Sequence, residues 1–353
     1  MSKKIIKIGI SIGDINGVGI EVALKAFQDK RMLDFCTPIF FANHQLIDYV
    51  KKTIGLNDIP TYKSKNLDDI KSKKINIINS WSNLAKVNFG KASAESGKFA
   101  FQSLKAANQS LKQSQIDALV TAPINKNTIQ SQAFFFPGHT EYLEHEHEGK
   151  SLMLMLSDTF RLAVVTGHIP LEKVPQHLSK ELILEKLNIF SQSLRQDFGI
   201  RRPKIAILGL NPHAGDNGLI GKEEQTLIIP AIQMAEEKNI LAFGPYSADS
   251  FFNSHQLNAF DGILAMYHDQ GLIPFKTISF GNGVNFTAGL DIVRTSPDHG
   301  TAFDIAGKNT ANESSFRHAL FAACDIVKKR QEWQKINSNS LPVSKSKNEK
   351  RLT

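Results

Sequence analysis

Five short apolar runs, each ended by a compact polar motif, constrain this chain more than any other feature of its sequence. Residues 5–12 run into Gly13-Asp14, and residues 116–120 into Thr121-Ala122-Pro123. Residues 161–165 end at Thr166-Gly167-His168, residues 204–210 at Asn211-Pro212-His213, and residues 262–266 at Tyr267-His268-Asp269. Between them lie segments of helical period at 17–27, 92–113, 182–197 and 222–238. Strand-like runs alternating with helices predict an α/β protein with a largely parallel central sheet. In such sheets ligands bind beyond the carboxyl ends of the strands, so the polar motifs are expected to face one crevice.

Composition narrows the class. Hydrophobic residues make up 41% and charged residues 22% of the 353, ordinary values for a globular chain. No apolar run approaches the ~20 residues of a membrane helix, and the first is broken at once by Gly13-Asp14, so neither a span nor a signal peptide is expected. Cys36 and Cys324 form no CxxC pair, which argues against a disulfide framework and for the cytoplasm. The net charge of +8 is spread along the chain and densest near its end. Residues 337–353, rich in Ser, Lys and Asn, read as a basic flexible tail rather than a nucleic-acid site. The remaining surplus suits an anionic small molecule.

His168, His213 and His268 each follow a strand candidate by two or three residues. One such histidine is usually an ordinary loop residue. Three in the same topological position point to three imidazoles around a divalent metal with an open coordination position. The loop Pro137-Gly138-His139-Thr140-Glu141 offers an imidazole and a hydroxyl to a ligand, or simply caps a helix through Thr140. The glycines at 13, 17 and 19 suit either a nucleotide phosphate or a tight turn; the spacing is not GxGxxG, and no Walker lysine is present. Lys276 and Arg294 could hold phosphate or carboxylate groups, and equally could be surface charges.

The motifs named above, together with Leu210-Asn211-Pro212-His213-Ala214-Gly215, Tyr267-His268-Asp269-Gln270-Gly271 and residues 294–302, stand in the order found in the 4-hydroxythreonine-4-phosphate dehydrogenases. The resemblance covers about residues 5 to 328. It implies the non-Rossmann fold of isocitrate and isopropylmalate dehydrogenases, with two α/β subdomains (about 1–130 plus 276–336, and 131–275) flanking a cleft. It implies metal ligands His168, His213 and His268, and substrate contacts His139, Thr140, Lys276, Asn285 and Arg294. Asp298, His299 and Gly300 would meet the cofactor, NAD or NADP, and Asp249 would serve as an acid–base residue or support the metal ligands. The metal is expected to be zinc, with cobalt, manganese or magnesium as other choices. The implied assembly is a homodimer with its active site at the interface. The implied substrate is a phosphorylated hydroxy acid: 4-phosphohydroxy-L-threonine, or a four-carbon sugar acid such as 4-phospho-threonate. A non-catalytic binding protein is the distant alternative. The chain departs from the family pattern in its first loop, with Ile15-Asn16 for Pro-Ala and Ile20 for Pro.

Overall fold

The computed structural model describes residues 5–83 and 85–338. Its backbone is organised by one sheet of twelve strands. In chain order these are β1 (Ile6–Ser11), β2 (Cys36–Ala42), β3 (Thr61–Ser64), β4 (Ile75–Asn79), β5 (Ala118–Thr121) and β6 (Gly149–Leu156). There follow β7 (Arg161–Thr166), β8 (Lys204–Leu208), β9 (Leu241–Tyr246), β10 (Gly262–Tyr267), β11 (Val284–Leu290) and β12 (Arg294–Pro297). Across the sheet the order is β3-β4-β2-β1-β5-β12-β11-β6-β7-β10-β8-β9.

All five apolar runs become strands, and β1, β2, β5 and β10 are buried almost throughout, as strands covered on both faces must be. The helices Ala94–Lys112 and Lys180–Gln196 fall where the helical period placed them. Each starts at a serine whose hydroxyl accepts an amide of the first turn: Ser93 from Ser96, and Ser179 from Leu182.

The largely parallel sheet needs one correction, at its centre. β12 pairs antiparallel with β11, β11 with β6, and β6 with β7. Three reversals in a row turn the two parallel flanks in opposite directions. The carboxyl ends of β1 and β5 therefore lie at one end of the sheet, and those of β7, β10 and β8 at the other. The motifs do not share a single crest; they approach the central antiparallel strands from both ends.

The final helix, Ser314–Ser338, extends two residues past the expected start of the tail; residues 339–353 lie outside the described residues. Cys36 and Cys324 are both buried and free. They meet across the core, where the Cys324 thiol and burial together push the Cys36 thiol well up, so it stays protonated. Among the described residues no helix is long and apolar enough to cross a membrane.

Candidate active site

The floor of the site follows from strand register. Asn285 on β11 lies opposite Met155 on β6 and Ser296 on β12. Because side chains alternate across a strand, Met153, Met155, Asn285, Thr287, Arg294 and Ser296 share one face. Over that face lies a cavity of about 310 Å³. One wall is the end of β5 with the segment after it, from Thr121 to Lys126. A second is Gly138-His139-Thr140-Glu141, where a helix begins at His139. The third comes from His168 after β7 and from the helix His268–Ser279. His268, Leu272 and Lys276 recur every four residues and so look down on the floor together. Asp298, His299 and Gly300 close the rim.

Arg294 is the strongest charge on the floor. It is 3% exposed, and its guanidinium donates to Thr121 Oγ1 at 2.6 and 3.1 Å and to Thr287 Oγ1 at 3.1 Å. These partners are neutral, and burial pulls its pKa down to about 10, with Glu141 the acid that opposes the shift. Part of the His139 surface reaches solvent, but its Nε2 does not and has no hydrogen-bond partner. Burial, then Arg294, then Lys126 hold this imidazole well below its ordinary range, so it is neutral. Asn285 Oδ1 and His299 Nε2 are likewise buried without partners. Buried polar atoms are normally paired, so three orphans around one cavity mark a place for a polar ligand. At the rim, Lys276 pairs with Asp298 at 3.4 Å, while burial raises the Asp298 carboxyl against that pairing.

The histidines divide. The rings of His168 and His268 are 5.0 Å apart. His268 Nδ1 meets Asp269 Oδ1 at 2.7 Å, an arrangement that orients the ring and leaves Nε2 available. Burial, Lys126 and His268 hold His168 below its usual range, in the neutral form a metal requires. This donor chemistry fits a divalent ion. His213 sits on the neighbouring loop, exposed and outside the cavity, and among the described residues no three His, Cys, Asp or Glu side chains gather closely enough to hold an ion. Asp249 is exposed beside His213; the hydroxyl of Ser247, 2.5 Å away, is the main cause of its lowered pKa.

The first glycine loop turns out to be a structural turn. Residues 13–20 are all buried. Asp14 N donates to Pro123 O, Gly17 N to Asp14 O and Val18 N to Thr301 O, so these amides are not free for a phosphate. Asn16, where the family pattern has Ala, accepts from Asn88 N and donates to Lys91 O, tying down a remote loop. Lys126 and Glu141, to which residue type and spacing assign no role of their own, also line the cavity. Lys126 lies five residues beyond β5, a strand-end slot like those of the histidines, and that position was the available signal. A larger cleft of about 580 Å³ opens at Lys112, Asp117 and Arg330, where Lys112 pairs with Glu146 and Arg330 with Asp197.

A neutral imidazole, a buried guanidinium and orphaned polar atoms over an α/β sheet define an enzyme site for a small anionic molecule. The family profile described as "Pyridoxal phosphate biosynthetic protein PdxA" matches residues 34–323. A 4-hydroxythreonine-4-phosphate dehydrogenase of Bacteroides thetaiotaomicron is 49% identical over 99% of this chain and 96% of its own. A relative from Oceanobacillus iheyensis, provisionally named D-threonate 4-phosphate dehydrogenase, is 38% identical over 93% and 99%. The solved 4-hydroxythreonine-4-phosphate dehydrogenase of Klebsiella pneumoniae superimposes with a TM-score of 0.79 at 30% identity, covering 92% of this chain and 98% of that one. The chain belongs to the PdxA family of dehydrogenases. It is therefore an oxidoreductase, and the binding-protein alternative is set aside.

Proposed function

We propose that this enzyme uses NAD to oxidise the C3 hydroxyl of 4-phosphohydroxy-L-threonine. The resulting ketone lies β to the carboxylate, so loss of carbon dioxide gives 3-amino-2-oxopropyl phosphate, a step toward pyridoxal phosphate. The observation that carries this reading is the convergence of Arg294 with the orphaned atoms of His139, Asn285 and His299 on one cavity. Arg294 and Lys276 supply charged donors for the phosphate and carboxylate. His139, Thr140 and Asn285 hydrogen-bond the substrate and fix its hydroxyl carbon against the nicotinamide. Asp298, His299 and Gly300 form the cofactor side of the cavity.

His168, His213 and His268 are the proposed ligands of a divalent ion, zinc first, with cobalt, manganese and magnesium as comparisons. Bound there, it would supply Lewis-acid stabilisation of the oxygen at the reacting carbon. His213 and Asp249 lie outside the cavity of a single chain, and the exposed apolar side chains Leu219, Ile273 and Phe280 flank the histidine-bearing segments. Both features favour a homodimer in which a second copy completes the site. The two free buried thiols suit a cytoplasmic enzyme.

A four-carbon acid such as 4-phospho-threonate would keep every phosphate contact and differ only at C2, and the Oceanobacillus relative's name favours testing it. The deciding measurement is kcat/KM for the two substrates with NAD and with NADP. Higher kcat/KM for 4-phospho-threonate would reassign the substrate, and no reduction of either cofactor with either substrate would overturn the reading.

A further inference from the structure

The motif Tyr267-His268-Asp269-Gln270-Gly271 contains a residue that the proposed chemistry does not use. Gln270 is half-buried at the start of the helix His268–Ser279, and its amide reaches in two directions. Its Oε1 accepts Met266 N at 2.7 Å, while its Nε2 donates to Gly209 O at 2.6 Å. Met266 lies two residues before His268, and Gly209 lies four before His213. One side chain thus joins the ends of β10 and β8, which are neighbours in the sheet.

The connection continues on both sides. Thr166, two residues before His168 at the end of β7, donates its hydroxyl to Met266 O at 2.8 Å. Beyond Gly209, Glu224 accepts the amides of Leu210 and Asn211, both at 2.7 Å, and Asn211 Nδ2 at 2.9 Å. Glu224 is 2% exposed, and it packs where a Cβ at Gly215 would come within 2.5 Å of its Oε2. From there the chain passes through five consecutive residues of left-handed conformation, His213 to Asn217. Such a run is unfavourable for L-residues and persists only where its surroundings hold it.

We infer that Thr166, Gln270 and Glu224 form a polar strap across β7, β10 and β8 that sets the relative positions of the His168, His268 and His213 loops, with Gln270 as its central positioning residue. The inference rests on the proposed role of these histidines as metal ligands. An amide is suited to the central place because it donates and accepts at once without bringing a charge beside the ion. The strap would act as hydrogen-bonding partners of metal ligands do, fixing the geometry in which the imidazoles arrive.

The test is titration of the metal-stripped full chain with Co²⁺, read by the visible absorption of the bound ion and by calorimetry. Gln270→Leu removes both hydrogen bonds at similar volume and should weaken Co²⁺ binding roughly 10- to 100-fold, with an altered absorption spectrum. In steady state it should lower kcat while changing KM for the phosphorylated substrate less than about twofold, since the floor contacts are untouched. Thr166→Val, a milder cut in the same strap, should shift affinity and spectrum in the same direction, and it carries the test if Gln270→Leu does not fold. Ser103→Ala breaks a buried hydrogen bond to Phe41 O far from the strap and should leave the cobalt spectrum unchanged. If the strap variants bind Co²⁺ as the unaltered protein does while His213→Ala does not, the strap is wrong and the metal site stands. If the unaltered protein binds no Co²⁺, or His213→Ala binds it equally well, the metal reading fails and the strap inference falls with it.

Discussion

Two loops in this molecule look alike in sequence and differ in almost every physical respect. The turn from Gly13 to Gly19 and the turn from Asn211 to Gly221 both leave the end of a buried strand, both carry glycines, and both lead into a helix. The first is buried throughout, and its amides bond to Pro123, Asp14 and Thr301. The second is largely exposed and left-handed, and it is held from beneath by Glu224, with Glu223 accepting a further bond from Asn211. Glycine permits both outcomes because it permits unusual backbone angles and close approach. The destination of the freed amides and side chains separates a joint in the core from a loop that can meet a ligand.

The contrast is sharpest where one loop is expected to lose function without fold and the other fold without function. His213→Ala should abolish turnover in a protein that melts close to the unaltered one, because the side chain is exposed. Measurable activity would separate this loop from the chemistry. Gly13→Ala should act in the opposite way. Gly13 has φ +69°, and a Cβ there would lie 2.2 Å from Pro123 O, so a loss of about 3 kcal/mol or more in denaturant unfolding is expected, with turnover per folded molecule retained.

Smaller effects test the floor and rim between these loops. Lys276→Ala should reduce kcat/KM by about tenfold, equivalent to about 1.4 kcal/mol. A substrate without phosphate should lose a similar factor on the unaltered enzyme, and the two losses should not add if they remove one interaction. Additive losses would move Lys276 to another partner, its Asp298 neighbour first. His139 supplies a pH test. Unfolded, it takes up a proton below its ordinary value of 6.5; folded, burial and the nearby cations refuse it. Unfolding therefore binds a proton, and stability falls as pH drops below 6.5, by up to about 1.4 kcal/mol per pH unit. His139→Gln should flatten that part of the stability profile, and an unchanged slope would mean the imidazole is charged in the folded protein. The smallest effect belongs to removal of residues 338–353, which should leave kcat and KM within a small factor.

The sequence disclosed the strands that end in motifs because each joins an apolar run to turn-forming residues. It did not disclose the antiparallel centre. β12 reads Arg-Thr-Ser-Pro, with no apolar residue, and only its neighbours in the sheet reveal it as buried. Residue type alone therefore left Arg294 open between an anion contact and a surface charge, and only the family resemblance set it against substrate; in the structure it is the deepest cation of the site. Glu141 carried no such signal, since a glutamate in a loop acquires meaning from what it faces, whereas Lys126 was marked only by its place after β5. The adjacency of His168 and His268 was legible because it depends on topology, two neighbouring parallel strands ending side by side. The separation of His213 from that pair depends on the path of a left-handed loop, which no residue spacing encodes.

Arg294 has a consequence for how such a protein is selected. A guanidinium withdrawn from water and answered only by threonine hydroxyls is a poor choice for thermal endurance, and an apolar residue of similar volume would suit the same place better. An anion in the cavity would supply the missing counter-charge, as the proposed substrate does. A substitution that relieved this discomfort would be expected to yield a sturdier protein with an emptier active site, so position 294 sets durability against use.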